Sequence, residues 1–141
     1  MEFIIGGSYQ GKYEYALKRI REKNQIKGCE KKDGNSLTVL DGAICQDVIP
    51  ETVQIWNHFH LYVKRMLYHG KSREDILEQV EKAYKYNPDL IIISDEIGYG
   101  IVPVDAEERR YREEVGRISC VLAQWADHVT RVICGLGTVI K

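Results

Sequence analysis

The sequence predicts an α/β three-layer sandwich, a mostly parallel sheet between helices with a hairpin strand near the C-terminal end. Three observations predict it. Phe3-Ile4-Ile5 is an apolar run that feeds a loop of the pattern G-x-x-x-x-G-K, Gly6 to Lys12, and an amphipathic stretch follows at once with Ala16, Leu17 and Ile20. Asp89-Leu90-Ile91-Ile92-Ile93 carries a continuous β-branched run of the kind buried on both faces of a parallel sheet. Around these runs apolar residues recur at helical spacing, so that strands and helices alternate.

Strand, glycine-rich loop and helix in this order form the phosphate-binding P-loop, which makes the expected sandwich P-loop NTPase-like (RecA-like). Gly6, Gly7 and Gly11 let the backbone fold tightly around a phosphate, with Ser8 and Gln10 completing the loop. The helix N-terminus adds partial positive charge, and Lys12 reaches the β- and γ-phosphates. The alternative is a tight strand-to-helix turn that carries a lysine. The pattern asks for Ser or Thr next, whose hydroxyl ligates Mg²⁺. Here the residue is Tyr13, whose phenol oxygen stands far from the backbone. Either Mg²⁺ is held by other groups or catalysis is weakened.

A helix is expected over residues 14–23, then a polar, glycine-punctuated connector from Asn24 to Ser36. Leu37-Thr38-Val39-Leu40 is expected as a short buried strand ending in Asp41. That carboxylate is either a Walker-B acid for Mg²⁺ or a turn residue before Gly42. After a break at 48–51, a helix is expected from near Thr52, with Trp56, Phe59, His60, Val63 and Leu67 on its buried face. On such a helix His58 and His60 point to different sides, which argues against a two-histidine metal site. Gly70 ends it. Ser72 with Asp75 makes a capping box for the next helix, whose stripe is Ile76, Leu77, Val80, Ala83 and Tyr84 and which stops at Asn87-Pro88. The strand 89–93 empties into Asp95 and Glu96, two acids at the carboxyl end of a central strand, where open α/β sheets bind ligands. A helix from near Asp105 buries Tyr111, Val115, Ile118, Leu122 and Trp125. Residues 129–134 and 138–140 form strands around a turn at Gly135-Leu136-Gly137.

The 141 residues fit one domain. With 44% hydrophobic and 29% charged residues the composition is that of a water-soluble globular chain, and a net charge of −1 gives no electrostatic case for nucleic acid or membrane partners. No apolar stretch approaches the roughly 18 residues of a membrane helix, and no signal peptide is read at the N-terminus. Cys29, Cys45, Cys120 and Cys134 lack C-x-x-C spacing, so neither a zinc site nor a redox motif is expected, and free thiols in a cytoplasmic setting are.

Specific segments now narrow the reading. Ile92-Ile93-Ser94-Asp95-Glu96-Ile97-Gly98-Tyr99-Gly100-Ile101-Val102-Pro103 resembles the S-[ND]-E-V-G-x-G-[IL]-V-P segment of one P-loop family, the bifunctional adenosylcobinamide kinases / adenosylcobinamide-phosphate guanylyltransferases of cobalamin synthesis. Arg109 to Arg117 is similar to that family's R-x-F-R-D-x-x-G-R, and Ala123 to Val129 to its A-x-x-A-D-x-V. The Gly-x-x-x-x-x-Lys ending, the opening Gly6-Gly7 and Gly11-Lys12, and Leu40-Asp41 at the acidic Walker-B position also match. The resemblance covers residues 1–23, 37–57 and 88–141.

The resemblance implies a nucleoside triphosphate site for ATP or GTP, with adenosylcobinamide as acceptor of the γ-phosphoryl group. Phosphates would lie on Gly6, Gly7, Ser8, Gln10, Gly11, Lys12 and Tyr13, with Lys12, Glu96 and Asp95 catalytic and Asp41 on Mg²⁺. Arg109 and Arg112 are either phosphate or substrate contacts or a solvated helix face. Family members assemble as homotrimers, which implies an oligomer here. Three departures limit the transfer. Gln10 and Tyr13 replace serines of the motif. The interval from Asn24 to Ser36 lacks the family's guanylyl-accepting histidine and its surrounding strand and helix. Ser119-Cys120 stands where the family has N-Q. The expected activity is therefore the kinase half alone, and its alternative is a non-catalytic nucleotide- or corrinoid-binding module of the same fold.

Overall fold

The computed structural model describes residues 1–26, 37–45, 49 and 51–141. Its ten elements are β1 (Glu2–Gly6), α1 (Lys12–Ile26), β2 (Val39–Asp41), β3 (Ile55–Asn57), α2 (Phe59–Tyr68), α3 (Arg73–Tyr86), β4 (Ile91–Asp95), α4 (Ala106–Trp125), β5 (His128–Ile133) and β6 (Leu136–Val139). They form one six-stranded sheet in the order β2-β3-β4-β1-β5-β6, parallel except for β6, which runs antiparallel to β5. The expected α/β sandwich is what the chain adopts.

Alternation along each strand builds two cores. Phe3, Trp56, Ile92 and Val129 face α2, α3 and α4, while Ile4, Ile55, Ile91, Ile93 and Val132 face α1 through Ala16, Tyr13, Leu17 and Ile20. The central strands are apolar on both sides because both sides are covered. Strand order and handedness explain the split. The β3-to-β4 and β4-to-β5 connections progress across the sheet in one direction, whereas β1-to-β2 progresses in the other. Right-handed crossovers then put α1 alone on the opposite face. At the carboxyl ends of β1 and β4 the chain leaves toward opposite faces, which opens a crevice between these neighbours.

Two expectations are corrected. No helix starts at Thr52: residues 55–57 are β3, paired with β2 and β4, and the helix begins at Phe59. Trp56 mimicked helical spacing because its ring enters the same core as the helix face behind it, edge-on to Phe59 at 5.1 Å and to Tyr62 at 4.7 Å between ring centres. The C-terminal turn is Cys134-Gly135 rather than 135–137. Both residues have positive φ (51° and 77°), the geometry of a two-residue hairpin turn whose twist matches its strands. The expected connector lies outside the described residues from 27 onward, as do Val48 and Pro50 of the break at 48–51 and Cys29.

The capping box is formed. The Ser72 hydroxyl accepts from the Asp75 backbone N–H, and the Asp75 carboxylate accepts from the Ser72 backbone N–H at 2.8 Å. Ser72→Ala is expected to lower the unfolding temperature by about 3 °C in a thermal scan, because one helix-end donor loses its partner. An unchanged transition would show the cap to be dispensable.

Candidate active site

The loop between β1 and α1 is shaped by close backbone approaches. A Cβ on Gly6 would lie 2.3 Å from the Val132 carbonyl oxygen, so only glycine lets β1 end this near β5. Tyr9 (φ 58°) and Gly11 (φ 79°) turn the chain in the left-handed region, with the Tyr9 ring fully in solvent. Gln10 fastens the loop to the β5–β6 turn: its side-chain oxygen accepts from the Cys134 N–H at 2.7 Å, and its carbonyl accepts from the Gly135 N–H at 2.9 Å. The backbone N–H groups of residues 8–11 donate to no protein acceptor among the described residues. Unspent donors beside a helix N-terminus suit an anion.

Lys12 opens α1 and is 7% exposed. Its ammonium donates to the Gly7 carbonyl at 2.6 Å and pairs with Asp95 Oδ1 at 2.7 Å. The Ser8 hydroxyl donates to Asp95 Oδ2, across 87 residues of sequence. Burial alone would raise the Asp95 pKa, but the hydrogen bonds from Lys12 and Ser8 and the charges of His60 and Lys12 outweigh it, and the carboxyl sits below its ordinary range.

His60 is buried under the end of β4, where its Nδ1 accepts the Asp95 backbone N–H at 3.1 Å. The ring proton therefore belongs on Nε2, 3.8 Å from Asp95 Oδ2. Burial lowers the His60 pKa, which disfavours the protonated ring. His58, half-exposed, pairs through Nδ1 with Asp41 Oδ1 at 3.0 Å. Burial works against the charge of Asp41, but the Ala43 N–H and His58 more than compensate, so its pKa is lowered.

These groups surround a cleft of about 480 Å³ at the carboxyl ends of β1, β3 and β4, lined by residues 8–14, Asn57, His58, His60, Leu61, Ile93 and Asp95. The structure thus brings Ser8, Gln10, Gly11, Lys12, Tyr13 and Asp95 together, with Gly6 and Gly7 leading into the loop. Other sequence-predicted residues lie elsewhere. Glu96 is turned to β5, where it accepts from Arg131 Nη2 at 2.9 Å. Arg109 donates to the Pro103 and Val104 carbonyls and Arg112 to the Ile101 carbonyl, so both hold the loop after β4. Asp41 stands behind His58 and does not line the cleft. The sequence reading missed Glu14, Asn57 and both histidines as cleft residues. His58 precedes α2 in a left-handed conformation (φ 50°), so the argument from helical spacing does not apply to it. Reading Ile55–Asn57 as a strand would have put 57 and 58 at a carboxyl end, where ligands bind.

A family model described as cobinamide kinase / cobinamide phosphate guanyltransferase matches residues 36–140. The chain belongs to this family. Two curated relatives carry the name bifunctional adenosylcobalamin biosynthesis protein CobU, one from Salmonella typhimurium at 38% identity and one from Escherichia coli at 36%. Each match runs over 52 residues, 37% of this chain, and spans 29% of the relative's length. The family match begins after the glycine-rich loop, so the case for a phosphate site there has only the loop's own pattern and geometry. The relatives' name places those two proteins in adenosylcobalamin biosynthesis. Among the described residues no helix is long and apolar enough to cross a membrane, and no three His, Cys, Asp or Glu side chains are grouped to hold a metal ion.

Proposed function

We propose that the protein binds ATP or GTP on the 6–12 loop and transfers the γ-phosphoryl group to the aminopropanol hydroxyl of adenosylcobinamide. The observation that supports this best is the buried Lys12 ammonium at the mouth of the crevice, beside four loop N–H donors without acceptors among the described residues. Phosphoryl transfer is mostly positioning and charge neutralisation, which a lysine and oriented amides supply. On binding, phosphate oxygens would replace the Gly7 carbonyl and Asp95 as the partners of Lys12. The reading stops at the kinase half, because residues 24–36 contain no histidine to carry a guanylyl group.

The oxygen donors beside the loop fit a magnesium ion. Asp95 and Ser8 present a carboxylate and a hydroxyl side by side, and Mg²⁺ at phosphates takes one or two protein oxygens and fills the rest with phosphate and water. Asp41 is the poorer donor, since His58 and the Ala43 N–H already occupy its oxygen. When bound, the ion would offset phosphate charge. Tyr13, half-buried against the sheet, brings no short hydroxyl to it.

Calorimetric titration with ATP and GTP, with and without Mg²⁺, tests the reading on the wild-type protein and on Lys12→Ala. The expected result is Mg²⁺-dependent binding weakened about tenfold or more in the variant, the loss of a charge-assisted phosphate contact. Affinity that ignores Lys12 would overturn the site. Binding without phosphorylated adenosylcobinamide would favour the binding-module alternative that Tyr13 suggests.

A further inference from the structure

We infer that His58, held by Asp41, is the proton acceptor for the attacking hydroxyl. The inference rests on the phosphoryl-transfer reading above and names a base that neither the glycine-rich loop nor the acids after β4 provide. The other acids and the second histidine near the cleft are placed for other roles. Asp95, which a bound phosphate would displace from Lys12, is with Ser8 the oxygen pair that would hold the magnesium ion. The one lone pair of neutral His60 is spent on the Asp95 backbone N–H. Glu14 lies in the first turn of α1, on the wall where phosphates lodge. Glu96 is paired with Arg131 and is not in the cleft.

His58 differs in each respect. Its Nδ1–H donates to the Asp41 carboxylate at 3.0 Å, and Nε2 has no partner among the described residues. A carboxylate on one ring nitrogen fixes the tautomer and leaves the other nitrogen to accept a proton, after which it stabilises the imidazolium. The fold builds this pair deliberately. Asp41 and Asn57 are register partners on β2 and β3, and the Gly42 N–H donates to the Asn57 carbonyl at 2.8 Å. A Cβ on Gly42 would lie 2.4 Å from the His58 carbonyl oxygen, so glycine allows the β2 turn to come this close. His58 itself holds φ 50°, a conformation uncommon outside glycine, and it caps α2 with no side-chain bond to the helix. The residue is thus turned away from helix capping and toward the cleft.

The distances suit the reaction. β4 separates β1 from β3, so the His58 wall and the glycine-rich loop stand about two strand spacings, roughly 10 Å, apart. That gap takes a phosphoryl group on the Lys12 side and a hydroxyl between it and His58. In the step, the hydroxyl proton passes to His58 Nε2 as the oxygen bonds to the γ-phosphorus. The bond from that phosphorus to the β–γ bridging oxygen breaks, and its electron pair leaves with the nucleoside diphosphate. Asp41 acts as a positioning residue.

Single-turnover transfer from γ-labelled ATP to adenosylcobinamide, measured beside ATP affinity by calorimetry, tests this. His58→Ala is expected to slow transfer about 100-fold while leaving ATP affinity within about twofold, and added imidazole is expected to restore part of the rate. Asp41→Asn, which keeps a hydrogen bond but permits the wrong tautomer, is expected to slow transfer about tenfold with affinity unchanged. If alanine at this left-handed position prevents folding, His58→Asn, which tolerates it, carries the test without altering the expectation. Undiminished transfer in the His58 variants, or a loss that imidazole does not rescue and that follows weakened ATP binding, overturns the inference alone. Failure of the wild-type protein to bind ATP or transfer its phosphoryl group overturns the phosphoryl-transfer reading, and the inference falls with it.

Discussion

Gly6→Ala is expected to lower the unfolding temperature by about 10 °C and to loosen the glycine-rich loop with it. The added methyl would sit 2.3 Å from the Val132 carbonyl oxygen, and both sides of that contact are backbone in the middle of the sheet. No side chain can rotate away. β1 carries β4 on one side and β5 on the other through five and four paired positions, so a shift at its end is resisted by both ladders. Overpacking of this kind costs about 3 kcal/mol, the upper part of its usual range, because the backbone rather than a rotamer must yield. For a chain of this length that corresponds to about 10 °C. A second consequence follows from position. The Gly6 carbonyl accepts the Glu96 N–H at 3.0 Å, which ties the start of the loop to the segment after β4. Moving Gly6 therefore moves Asp95 relative to Lys12, and nucleotide affinity should fall together with stability. A scan showing a near-native midpoint would mean that β1 and β5 separate easily, contrary to the packing.

How far sequence carried the fold depended on whether burial left a local mark. Ile91 to Ile93 could be read as a strand because a strand covered on both faces needs no alternation, and four consecutive apolar positions, Leu90 to Ile93, result. The α3 boundary was legible because its cap is written within four residues. β3 was not. It is three residues long, too short to show a period, and Trp56 lies at a helical interval from Phe59 and Val63 only because strand and helix share one core. That error hid half the site, since Asn57 and His58 are functional candidates only once they stand at a strand's carboxyl end. The glycine-rich loop was legible as pattern, and the Asp95-Glu96 pair as a strand-end acid cluster. Which of the two acids meets Lys12 was not, because the choice depends on strand parity: Asp95 is the last β4 residue, in register with Gly6, and Glu96 falls on the side of Arg131. Parity becomes readable only when the strand's last residue is fixed.

Asp95→Asn is expected to destabilise the ligand-free protein by about 3 kcal/mol and to make it unusually responsive to anions. In the free protein the Lys12 ammonium has two partners, the Gly7 carbonyl and the Asp95 carboxylate, and almost no access to water. Removing the carboxylate leaves a buried charge with one neutral acceptor. Breaking a buried pair from one side typically costs about 3 to 5 kcal/mol, and the lower end applies because Asp95 keeps a 14% exposed edge through which water can reach the site. An anion at the loop supplies the missing charge. Pyrophosphate without divalent cation should therefore raise the unfolding temperature of Asp95→Asn by more than that of the wild type, where the anion must first displace a carboxylate from Lys12. Equal shifts in the two proteins would show that Asp95 and Lys12 are not coupled. The acid limb gives an independent check of sign. The folded-state pKa of Asp95 is depressed, so its contribution to stability is present above the ordinary value of 3.8 and is lost as pH falls through the lower folded value. Below about pH 4 the wild type should lose stability more steeply than Asp95→Asn, and the two curves should converge there, because protonation then does to the wild-type carboxylate what the substitution has already done.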